Sequence, residues 1–130
     1  MLYTNVFWNA GVRKMTIVGF TGSRTATYLN SAILAELKKL NRETDIVIHG
    51  GAPGADTLVS NWCKKVGVNQ DIIRPIDETN KMNYLYRNIE IISHCDVMLA
   101  FWDGKSRGTK FTIDYATARG KEVKVVKVIE

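Results

Sequence analysis

Cysteine, proline and histidine are scarce in this 130-residue chain, with two of each. Cys63 and Cys95 do not form a C-x-x-C pair, and both sit in apolar helical patterns. They read as buried, reduced thiols of a cytoplasmic protein rather than as a redox centre or a disulfide. His49 and His94 are too few and too isolated to build a metal site, so no metal is expected. No apolar run approaches the ~20 residues that span a bilayer. The N-terminus also lacks a basic head followed by an apolar core, the mark of a secretory signal. Long blocks of one charge are missing too. Eighteen Lys and Arg against thirteen Asp and Glu leave a net charge of +5, spread along the chain. A mildly basic surface suits an anionic ligand. Without clustered basic residues it gives only weak support to DNA or RNA, and nucleic acid is not the expected partner.

Several sharp signatures are absent as well. There is no G-x-G-x-x-G, so an ordinary NAD-dehydrogenase reading has no support. "GKS" at 104–106 lacks the glycine that a P-loop needs five residues before Gly104, where Leu99 stands. No G-x-S-x-G nucleophile elbow occurs.

What is present is the composition of an ordinary globular protein, 45% hydrophobic and 24% charged. The length suits one domain with a core large enough to need no disulfide or metal. The first fourteen residues, "MLYTNVFWNAGVRK", are aromatic and unlike the rest. They read as an N-terminal extension or arm, dispensable for ligand binding, ahead of a domain at 15–130. From Met15 a rhythm begins. "MTIVGF", "DIVIHG", "DIIRPI", "DVMLAFW" and "EVKVVKVI" are short, β-branched or wholly apolar runs and predict five strands. Between them, Leu29, Ile33, Leu37 and Leu40 predict a helix over 28–40. Ala55, Leu58, Val59, Trp62 and Val66 predict one over 55–66 that stops at Gly67. Leu85, Ile89 and Ile92 predict a third over 84–94, and Phe111, Tyr115 and Ala118 a fourth over 109–119. Alternating strands and helices imply βαβ units, right-handed crossovers and a parallel sheet. The expected fold is α/β, a single Rossmann-like doubly wound parallel sheet of about five strands in the order 3-2-1-4-5, with helices on both faces. Lys124 and Lys127 on the last strand suit a charged sheet edge.

Three glycine-rich loops, "GFTGSRT", "HGGAPGAD" and "WDGKSRGT", follow the first, second and fourth strands. In that topology all three meet at the carboxyl edge of the sheet, where strand order reverses and ligands bind. Each also feeds a helix N-terminus, which favours an anion. Arg24, Lys105 and Arg107 add cationic donors. The economical expectation is a phosphate-bearing ligand, held by Gly22, Ser23, Arg24, His49, Gly50, Gly51, Gly54, Asp56, Asp103, Gly104, Lys105, Ser106, Arg107, Gly108 and Thr109. Arg87 lies off the Leu85–Ile89–Ile92 stripe, where a solvated arginine is ordinary.

"GSR" at 22–24, "HGGAPGAD" at 49–56, the pair Arg87 and Asn88, and "AFWDGKSRGTKFTIDYA" at 100–116 together resemble the SLOG superfamily of Rossmann-like nucleotide-binding proteins. The nearest likeness is to its YspA-like, YpsA-related branch of small stand-alone domains. The resemblance covers the chain from Met15 onward. It implies a nucleotide or nucleotide-derived ligand (AMP, ADP-ribose or NAD-like) at the three loops, with Arg87 and Asn88 on the ligand side, in a binding or sensing protein. It also offers two alternatives. One is an N-glycosidase like the LOG phosphoribohydrolases, a hydrolase of N-glycosidic bonds; the other is a DprA-like DNA-binding protein. LOG chemistry uses a glutamate in P-G-G-x-G-T-x-x-E, and the matching position here is Thr112. Asp56, Asp103 and Asp114 are the remaining candidate acids for a reaction. The expected partners are a small nucleotide, with no other cofactor, and further copies of the chain in a dimer or higher homo-oligomer.

Overall fold

The computed structural model describes residues 15–128, so the N-terminal arm read at 1–14 lies outside the described residues. The elements are β1 (Ile17–Gly22), α1 (Ser31–Leu37), β2 (Ile46–His49), α2 (Ala55–Val66), β3 (Asn69–Ile72), α3 (Lys81–His94), β4 (Val97–Trp102), α4 (Arg107–Ala118) and β5 (Glu122–Lys127). All four strand pairs are parallel, and the order is β3-β2-β1-β4-β5. The predicted α/β sheet and its strand order are therefore found.

Burial on both faces explains the apolar runs. On one face α1 and α2 bring Ile33, Leu37, Ala55, Val59 and Cys63 onto Val18, Phe20, Leu99 and Phe101. On the other, α3 and α4 bring Ile91, Ile92 and Ala116 onto Ile48 and Met98. Crossovers on opposite faces leave β1 and β4 as the central pair at which strand order reverses. Both thiols are free and buried, and burial pushes the Cys63 thiol up to about 11. β5 lies at one edge with Lys124 and Lys127 exposed. Among the described residues no helix is long and apolar enough to cross a membrane.

Local chemistry moves several boundaries. The predicted helix over 28–40 shrinks to Ser31–Leu37, because Asn30 caps it by accepting from the Ile33 N–H at 3.0 Å. Leu29 still packs on the same core from outside the helix. α3 starts at Lys81 rather than 84, capped by Asn80, whose side chain accepts from the Met82 N–H at 2.9 Å. β3 sits earlier than "DIIRPI" suggests. It pairs Asn69 with Ile46 and Ile72 with His49, and ends before Pro75, which has no N–H for a ladder. The buried positions of α3 are Arg87, Ile91 and Ile92. The expected Leu85–Ile89–Ile92 face is thus rotated, with an arginine inside it.

Candidate functional site

The three glycine-rich loops enclose a cleft of about 610 Å³ at the carboxyl edge of the sheet. Gly22 and Arg24 line it from the end of β1, Asp56 from α2, and Arg87 and Asn88 from α3. Asp103, Lys105, Ser106, Gly108 and Thr109 line it from the β4–α4 connection. A smaller hollow of about 260 Å³ adjoins it through the shared residues Arg24, Ala52, Tyr84 and Arg87, and adds Gly50, Gly51, Arg74 and Glu78.

Ser23 ties the walls together from beneath. Its N–H donates to the Phe101 carbonyl at 2.9 Å and its own carbonyl accepts from the Ala55 N–H at 3.1 Å. Its hydroxyl accepts from the Asp103 N–H at 2.9 Å. The residue is fully buried and does not line the cleft. Asp103 continues the stitching. Oδ1 accepts from the N–H groups of Lys105 and Ser106 at 2.8 Å each, and Oδ2 from the Thr25 hydroxyl at 3.0 Å. Those donors, the Ser106 N–H foremost, hold its carboxyl down to about 2. Asp103 is therefore a loop-building carboxylate whose oxygens already have partners.

The start of α4 has no such stopper. Its N-cap, Ser106, makes no side-chain cap bond to the helix. The hydroxyl lies 3.2 Å from that of Thr109 instead. Gly108 and Thr109, in the first turn, line the cleft. The first turn of α4, with its N–H groups and the positive end of the helix dipole, therefore lies at the wall of the cleft.

The β2–α2 loop winds around Asp56, in the first turn of α2. Oδ2 accepts from the N–H groups of Gly50 at 3.2 Å and Ala52 at 3.1 Å. Oδ1 is buried and has no partner. Only 6% of Asp56 is exposed. Burial pushes its carboxyl up, against the pull of the two N–H groups and Arg87. Gly54 brings this loop onto the first one. It has φ +83°, and a Cβ there would fall within 2.6 Å of the Arg24 backbone. His49 is fully buried and does not line the cleft. Its Nδ1 accepts from the Gly51 N–H at 3.0 Å, which puts the proton on Nε2, 2.7 Å from Gln70 Oε1. One ring nitrogen thus serves the loop and the other the side chain of Gln70 on β3.

Arg87 is 7% exposed, so it is not the solvated arginine its place off the stripe would suggest. Nη1 donates to the carbonyls of Gly50 at 2.7 Å and Ile73 at 3.4 Å, and Nε to Asn88 Oδ1 at 2.9 Å. Burial lowers the guanidinium from its usual value, as do the neighbouring Arg24 and Arg74, while Asp56 opposes them. Tyr84 is near two of these cations, its ring centroid 5.3 Å from Arg24 Cζ and 5.5 Å from Arg87 Cζ.

Some predicted residues stand apart. Arg107 is exposed on the first turn of α4 and does not line the cleft. Nor does Gly104, which sits beside the Lys127 ammonium. Asp114 faces outward and pairs with Lys110 at 2.8 Å. Thr112, at the LOG glutamate position, is buried with its hydroxyl on the Gly108 carbonyl at 3.1 Å. Tyr84 and Arg74 were not anticipated from the sequence. Arg74 stood inside the predicted third strand. Its place just after β3 could have marked it, since that is another strand carboxyl end.

Among the described residues no group of three or more His, Cys, Asp or Glu is placed to hold a metal. No family model matches the chain, and no solved structure matches it. It is similar to the Gene 61 protein of Mycobacterium phage D29, with 29% identity over 118 residues, covering 84% of this chain and 92% of that protein.

Proposed function

We propose that the chain binds a nucleotide or nucleotide-derived ligand, of the AMP, ADP-ribose or NAD type, in the cleft at the carboxyl edge of its sheet, and works as a binding or sensing protein. The observation that carries this reading is the company Asp56 keeps. The cleft offers an anion the open start of α4 and the cations Arg24, Arg87 and Lys105. In the same wall is a buried carboxylate oxygen with no partner. Inorganic phosphate would satisfy the first set and be repelled by the second. A nucleotide satisfies both, since its phosphate takes the donors while a ribose hydroxyl or base amino group donates to Asp56 Oδ1. The likeness of the loops to the SLOG superfamily supports the same ligand class.

A second reading, hydrolysis of an N-glycosidic bond, is favoured by one detail. Of the three candidate acids, Asp103 has both oxygens bonded within the loops and Asp114 faces solvent, which leaves Asp56, a cleft-lining residue with one buried oxygen lacking a partner. LOG-type chemistry is not expected, because Thr112 supplies no acid. Calorimetric titration of the full chain with AMP, ADP-ribose and NAD tests the binding reading, and release of free base from the same nucleotides tests the hydrolytic one. Failure of all three to bind would overturn the proposal. The mass of any small molecule that co-purifies with the protein would name the ligand directly.

A further inference from the structure

The smaller hollow has a charge imbalance that one phosphate does not explain. Three guanidinium groups, Arg24, Arg74 and Arg87, share its wall with a single carboxylate, Glu78. Among the described residues none of the three forms an ion pair. Arg87 and Arg74 donate instead to neutral carbonyls, Arg74 only weakly, to Gly51 at 3.4 Å. Three like charges set against one carboxylate in the hollow repel one another; Arg87 feels Asp56 as a counter-charge and repulsion from both Arg24 and Arg74. Such an arrangement is relieved when an anion enters, and the planar fork of arginine suits phosphate oxygens.

This hollow is not a separate site. Arg24, Ala52, Tyr84 and Arg87 line both it and the larger cleft, so a ligand held at the start of α4 can extend into it. Building on the nucleotide reading above, we infer that the preferred ligand carries two anionic groups on one nucleoside. One sits at the α4 N-terminus with Lys105, and the other between Arg24, Arg74 and Arg87. Asp56 lies on the wall of the larger cleft near Arg87 and takes a hydrogen-bond donor from the nucleoside. The second anion is a phosphate either adjacent to the first, as in ADP, or on another ribose position, as in adenosine 3′,5′-bisphosphate.

The test uses Arg74, which lines only the smaller hollow and is exposed, so its replacement spares the core. The full chain, Arg74→Ala and Arg74→Glu are titrated with AMP, ADP and adenosine 3′,5′-bisphosphate, and thermal melts verify folding. The parent should bind at least one of the two-anion ligands about tenfold or more tighter than AMP. Arg74→Ala should erase most of that advantage and Arg74→Glu all of it, with AMP changed by no more than about twofold. Whichever of ADP and the bisphosphate shows the effect identifies the spacing of the phosphates. Equal affinity of the parent for AMP and both two-anion ligands would overturn this inference and leave the nucleotide reading standing. An equal loss for AMP and the two-anion ligands on Arg74→Ala would do the same. No binding of any of the three would overturn this inference, while the titrations with ADP-ribose and NAD decide the nucleotide reading separately.

Discussion

The Arg87 guanidinium occupies the space that a side chain on Gly50 would need. A Cβ built on Gly50 would fall within 2.9 Å of Nη1, Cζ and Nε of Arg87, whose Nη1 donates to the Gly50 carbonyl at 2.7 Å. Because the arginine is buried, it cannot yield without losing those bonds. Gly50→Ala is therefore expected to cost about 1–3 kcal/mol, the usual range for overpacking, and to weaken nucleotide binding by displacing Arg87. Urea unfolding and titration measure the two effects. A variant that matches the parent in both would show that Arg87 has another place to sit.

Asp56 gives opposite expectations for two replacements. Its folded-state carboxyl is raised above the ordinary 3.8, mainly by burial. The protonated form is therefore the one folding favours, and its contribution to stability is lost as pH rises through the folded-state value. A neutral isostere avoids that loss. Asp56→Asn should melt at or above the parent temperature at pH 7 while binding nucleotide less tightly, since the oxygen now free becomes an amide donor. Asp56→Ala strands the N–H groups of Gly50 and Ala52 and should lose about 1–3 kcal/mol. If Asp56→Asn melts well below the parent, the buried charge is stabilising and the argument fails.

Asp103 behaves in the reverse sense. Its folded value, about 2, lies below the ordinary 3.8. The stability it contributes is fully present above about pH 4 and fades as pH falls towards 2. Melting curves of the parent and Asp103→Ala should accordingly differ most near neutrality and converge near pH 2. A constant difference across that range would mean that the charge of Asp103 does not matter to its loop.

Arg24 and Arg107 both belong to the glycine-rich loops, yet only Arg24 lines the cleft. Arg24→Ala should weaken nucleotide binding by about tenfold or more, in keeping with the roughly 1.5–3 kcal/mol of a charge-assisted hydrogen bond. Arg107→Ala should have the smaller effect, with Lys38→Ala on the outer side of the fold as the unchanged reference. The reverse order would show that the first turn of α4 swings inward when ligand binds.

Periodicity carried most of the fold. Unbroken apolar strands and amphipathic helices between them leave few topologies, and α2 from Ala55 to Val66 matches its predicted span. The glycine-rich loops were visible for the same reason, because strand carboxyl ends in such a sheet converge. What could not be read was the division of labour within the loops. His49 looks like a ligand-facing group in sequence, but it is buried on Gln70, 21 residues along the chain, and Asp103, though it lines the cleft, has its carboxylate taken up by Lys105, Ser106 and Thr25. Arg87 breaks the hydropathy pattern of α3, and the carbonyls that make its burial tolerable, those of Gly50 and Ile73, come from other loops. Side-chain polarity alone does not separate a residue that builds a loop from one that faces the cleft.

The stitching through Ser23 also has a thermodynamic consequence for the cleft. Loops that close only around a ligand lose their conformational freedom at the moment of binding, and affinity is reduced by that amount. Here the N–H groups of Ala55 and Asp103 are fixed to Ser23, and that of Ser23 to Phe101 on β4, before any ligand arrives. The entropy is surrendered when the chain folds. In hydrogen–deuterium exchange these three amides should accordingly open with the whole domain, as one cooperative unit, rather than at the faster rates usual for glycine-rich surface turns.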